Sequence, residues 1–187
     1  MTLRLAAALV ALSALTACAP GGVRVTHPEL RSQYSRTEML YAFHGRDAEV
    51  VVNGSPFPGA TSAGAATTAV MNRVPVGPRT NFTTAPGESV RRPYRVVLAY
   101  APAVAVTGEG LCARPDLPTR PRTGEGTALQ GALCHGPNLL SGAYATAGPV
   151  DGPDDPRFQE LVARLTFALF PIENPQHSCA PNIIRNC

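Results

Sequence analysis

Apolar and polar positions alternate between two periods after residue 37. Glu49-Val50-Val51-Val52 is β-branched and closes at Asn53-Gly54-Ser55-Pro56, a turn cluster, so residues 46–53 are predicted as a strand. The apolar stretch Met39–Phe43 before it reads as strand or helix. After Pro58-Gly59, Thr61 or Ser62 can cap a helix running to about Arg73. Ala66, Ala69, Val70 and Val74 fit its 3.6-residue period, and Pro75 stops it. Thr80–Thr84 reads as a short edge strand. Tyr94–Ala101 is nearly continuously apolar and should be a central strand. Residues 107–127 are rich in Pro, Arg and Gly and read as a long loop. Ala128–His135 and Leu139–Ala147, joined through Gly136-Pro137-Asn138, predict a hairpin. Asp155-Pro156 then opens a helix whose apolar face is Phe158, Leu161, Val162, Leu165, Ala168 and Leu169. This order predicts an α+β domain over residues 37–171. It should be a two-layer fold, a mainly antiparallel sheet with two helices packed on one face.

The first residues follow another pattern. Arg4 precedes an apolar run of 11 residues, Leu5–Leu15, about half the length that a membrane span needs. The run ends in Leu15-Thr16-Ala17-Cys18, which resembles the lipobox of bacterial lipoproteins: a branched apolar residue, two small ones and the acylated Cys. The resemblance implies a signal peptide over residues 1–17, cleavage before Cys18, and lipid on that thiol. Ala19 follows where family members held at the inner membrane carry Asp. The resemblance therefore implies attachment to the periplasmic face of the outer membrane. Residues 18–36, with Pro20-Gly21-Gly22 and no sustained period, read as a lipidated tether. The chain also resembles, more loosely, small periplasmic lipoproteins of high-GC bacteria.

Removing Cys18 from the five cysteines leaves Cys112, Cys134, Cys179 and Cys187. An even remainder in an exported protein predicts two disulfides. Three pairings are open; the local one, Cys112–Cys134 with Cys179–Cys187, is favoured. The second bridge would tie an irregular tail, residues 172–187. No C-x-x-C occurs, and neighbouring Cys134 and His135 do not readily share one ion, so no metal and no cofactor are expected.

Charge is modest. Sixteen basic residues, all Arg, meet 13 acidic ones for a net +3. With no aromatic residues interleaved among the arginines, nucleic acid is not an expected partner. Arg114, Arg120 and Arg122 cluster in the Pro-rich loop, and Arg91, Arg92 and Arg95 precede the central strand. The loop cluster is the candidate contact for an envelope protein or an acidic envelope polymer. The chain lacks G-x-S-x-G, H-E-x-x-H and P-loop patterns, and no catalytic residue is assigned. His27, His44, His135 and His177 are scattered, and only His44 has a nearby acid, Asp47. The reading is a lipid-anchored periplasmic accessory protein, a binding or assembly module without catalysis. Two alternatives stay open: a periplasmic hydrolase with a site near His44 and Asp47, or a lipoprotein subunit of an export or transport machine.

Overall fold

A computed structural model describes residues 22–60, 62–120 and 126–174. The lipobox with Cys18, Arg122, His177 and the expected Cys179–Cys187 pair lie outside the described residues. The chain forms β1 (Arg24–Leu30), α1 (Arg36–Phe43), β2 (Arg46–Asn53), α2 (Gly64–Met71) and β3 (Thr80–Thr83). It continues with β4 (Tyr94–Tyr100), α3 (Gly108–Ala113), β5 (Thr127–His135), β6 (Asn138–Ala147) and α4 (Pro156–Leu169). These strands make one sheet in the order β1-β6-β5-β4-β2-β3. The pairings of β1, β6, β5 and β4 are antiparallel, and β2 runs parallel to both β4 and β3. The α+β class holds, and β4 is central as its apolar run predicts. Every residue of β4 but Arg95 is buried.

One face of the sheet carries the main core. Leu98, Tyr100, Leu129, Leu133, Ala143 and Ala145 meet Phe158, Leu161, Leu165 and Leu169 of α4, and Val70 and Met71 of α2. Asp155 caps α4 by accepting a hydrogen bond from Arg157 N–H at 2.9 Å, with Pro156 at the first helical position. Gly131 lets α4 approach closely: a Cβ there would lie 2.9 Å from Leu165 and 3.1 Å from Leu98 and Leu169. In α2 the buried face differs from the expected one. Ala69 is exposed, whereas Thr67 is fully buried with its hydroxyl 2.8 Å from the Tyr100 hydroxyl. A polar residue enters the core here because its partner enters with it. Asn72 ties the end of α2 to the edge strand, donating to Phe82 O (2.9 Å) and accepting from Phe82 N–H (2.7 Å).

Three expectations need correction. The segment read as tether contains β1, which pairs with β6 as an edge strand. The register shifts between Thr26 and Glu29, and this irregularity absorbs Pro28, which has no N–H for the ladder. The domain therefore begins near residue 22 rather than 37, and it extends past 171. Asn174 is buried and donates to Arg31 O (3.1 Å) and Tyr34 O (2.9 Å). The two expected helices do share a face, but α1 joins them there through Met39 and Phe43. The loop read over 107–127 contains a further helix, α3, on the opposite face. Thr107 caps α3, accepting from Gly110 N–H at 3.1 Å. Cys112 in α3 is bonded to Cys134 in β5, the pairing favoured from sequence. Arg95 reaches across to the Cys112 carbonyl at 2.9 Å, a cation at a helix C-terminus.

Candidate functional site

The six-residue α3 covers only part of its face of the sheet. Its Leu111 and Cys112 pack on Val97, Ala99, Ala132, Cys134 and Leu139. Gly108 lies over Gly142, where an added Cβ would stand 3.6 Å from the Gly142 Cα. Further along the same face the register places Ala128 opposite Thr146 and Gln130 opposite Tyr144. Among the described residues, no helix lies above these four. They floor a cleft of about 800 Å³, within the range of small-molecule sites. Pro102, Val104, Ala105 and Val106 form one wall; Ser55, Pro56 and Arg120 also line it. The cleft thus opens beyond the ends of β2 and β4, which run parallel.

The chain reaches this shape through a braced loop. Asn53, at the end of β2, donates to Pro115 O (2.7 Å) and Leu98 O (3.3 Å) and accepts from Leu117 N–H (3.4 Å). Arg120 N–H donates to Ala101 O at 2.8 Å, and Ala103 N–H to Pro118 O at 3.0 Å. Ala101 has φ +42°, a strained value for a residue with a Cβ. The Arg120 Nε donates to Ala103 O at 2.9 Å, which fixes the guanidinium plane at the exposed rim of the cleft. Three lining residues with polar side-chain atoms, Tyr100, Thr127 and Gln130, are more than nine-tenths buried. Gln130 donates to Ala143 O at 3.2 Å, whereas the Thr127 hydroxyl pairs with no group of the described residues. A buried hydroxyl left unpaired costs about 1–3 kcal/mol.

The other sequence candidates fall elsewhere. Arg114 caps α3 and is exposed away from the cleft lining. Arg91 stacks on the Tyr41 ring at 3.8 Å, and Arg95 is engaged by α3. His44 ends α1, and its Nδ1 accepts from Arg79 N–H at 3.4 Å. Asp47 opens β2 and faces the loop beyond β3: it accepts from Asn81 at 2.8 Å and from Gly87 N–H at 2.8 Å. Those hydrogen bonds hold its carboxyl below the usual range. His44 and Asp47 therefore serve separate turns, with Gly45 at φ +69° between them. His135 stacks on Tyr94, centroids 4.5 Å apart. Among the described residues, no group of three His, Cys, Asp or Glu side chains is placed to hold a metal ion. No described helix is long and apolar enough to cross a membrane.

Nothing in the sequence points to the cleft itself, although Arg120 on its rim stands out there as a charge. No protein-family model matches the chain, and no curated protein matches it. Among solved structures the chain is similar to a dodecamer of a PelC variant from Paraburkholderia phytofirmans. Identity is 13%, 80% of this chain and 98% of that chain are covered, and the TM-score is 0.37.

Proposed function

We propose that this protein is a lipid-anchored accessory module of the bacterial envelope, facing the periplasm from the outer membrane, and that it works by binding. The observation that carries the reading is the cleft. Its wall is mostly apolar, and its polar side chains are hydroxyls, one amide and one guanidinium. Such groups orient and hold a ligand. The Cys112–Cys134 bond agrees with an oxidising compartment. The lipobox residues Leu15-Thr16-Ala17-Cys18 supply the anchor.

With lipid on Cys18, the first paired residue of the domain is Arg24. Six residues of extended chain span roughly 20 Å at most. The tether is therefore short, and it keeps the domain beside the bilayer. Two or more acyl chains, at about 0.8 kcal/mol per buried methylene, make that attachment stable.

Fractionation tests the anchor. Wild-type protein should stay in the membrane pellet after a carbonate wash and incorporate labelled palmitate. Cys18→Ala should lose the label and appear as soluble protein or uncut precursor. A Cys18→Ala protein that is cut yet still pelleted would overturn the lipoprotein reading.

A further inference from the structure

We infer that the cleft above Ala128 and Gln130 binds a single-chain amphiphile with an anionic head, drawn from the membrane to which the chain is tethered. This rests on the binding reading above and names its ligand. Two independent observations converge on it.

The first is position. In the β1–β6 register Arg24 pairs with Thr146, and Thr146 lines the cleft. The end of β1 that leads back to Cys18 is thus the end of the sheet at which the cleft opens. A tether that short places the cleft, rather than α4 or the β5–β6 turn, next to the bilayer. The second is charge. Arg120 is the one charged residue of the lining among the described residues, and they engage only the Nε of its side chain. Its two terminal nitrogens remain for an outside acceptor, and a guanidinium fork suits a carboxylate or a phosphate. The apolar wall from Pro102 to Val106 and the floor at Ala128 then suit a hydrocarbon chain leading inward from that head.

The test uses full-length lipidated protein in phosphatidylcholine nanodiscs. Three photoreactive ten-carbon probes are compared, identical except for the head: a carboxylate, a phosphate monoester and an alcohol. Adducts are mapped by mass spectrometry. The expected result is labelling within 102–106 and at Ala128 or Tyr144 by an anionic probe, at least about tenfold above the alcohol. Arg120→Gln should remove that preference. Labelling by the carboxylate alone marks a fatty acid as the source, and labelling by the phosphate alone marks a phospholipid derivative. Equal labelling by all three probes, unchanged in Arg120→Gln, would overturn the anionic-ligand proposal and leave the binding reading intact. Cleft peptides free of label with every probe, in a protein whose Tm is normal, would overturn both.

Discussion

The buried tyrosines make the domain sensitive to alkali. Burial and the neighbouring Glu38 carboxylate, to which Tyr94 donates its hydroxyl proton, push Tyr94 up to about 12. Burial pushes Tyr34 and Tyr100 up as well. In the unfolded chain these groups titrate near 10. Above that pH the unfolded state releases protons that the folded state retains, so the stability they contribute is complete below about pH 10 and is lost as pH rises toward 12. Tm followed by circular dichroism should hold steady from about pH 7 to 9 and fall beyond about 10. Tyr94→Phe should fall less steeply; an identical slope would contradict the assignment. The same scale explains why His44 and Asp47 look paired in sequence and are not. Three residues apart on one helix they would be neighbours. Here a helix ends at one and a strand begins at the other, and Gly45 turns the chain between them.

Between elements, close approach decides which substitutions matter. Gly131 sits mid-strand, where glycine is ordinarily unfavourable, because three leucines occupy the space a Cβ would need. Gly131→Ala should push α4 off the sheet and lower stability by about 1–3 kcal/mol. Urea unfolding measures this, and a neutral effect would show that the leucines repack. The disulfide closes a sequence separation of 22 residues. Replacing Cys112 and Cys134 together with Ala should cost roughly 3 kcal/mol, and amide exchange should accelerate first in α3. The elements legible in sequence are those with a strong period or a strong boundary: the β2 valines, the β4 run, the β5–β6 hairpin and the Asp-Pro start of α4. Two elements are illegible for physical reasons. Segment α3 is six residues long with glycines at 108 and 110, so it shows no amphipathic period and depends on its cap, its bridge and Arg95. Strand β1 is an edge strand interrupted at His27-Pro28, so its alternation breaks in the middle.

Across the whole molecule, both ends of the described chain are fastened to one another. Tyr34 donates to Pro171 O at 2.7 Å, and Asn174 holds the backbone of residues 31 and 34. Phe43, Phe82 and Phe170 pack edge to face beside them. With lipid on Cys18, pairing of β1 from Arg24 leaves only six residues of chain from anchor to domain, so the proposed tether would hold the cleft toward the membrane. The cleft itself is illegible in sequence because it is made by a helix too short to cover its sheet and by a loop braced through Asn53. Neither leaves a spacing signature. Arg120 is legible as a charge but not as the rim of a cavity. Under the proposed function the cleft does the protein's work and the His44–Asp47 corner does not. Complementation of a deletion strain, at matched abundance and Tm, tests this most directly. Ala128→Phe, which fills the cleft floor, should remain anchored and fail to complement, whereas His44→Ala should complement fully. Full complementation by Ala128→Phe, with failure of a folded His44→Ala protein, would contradict the account.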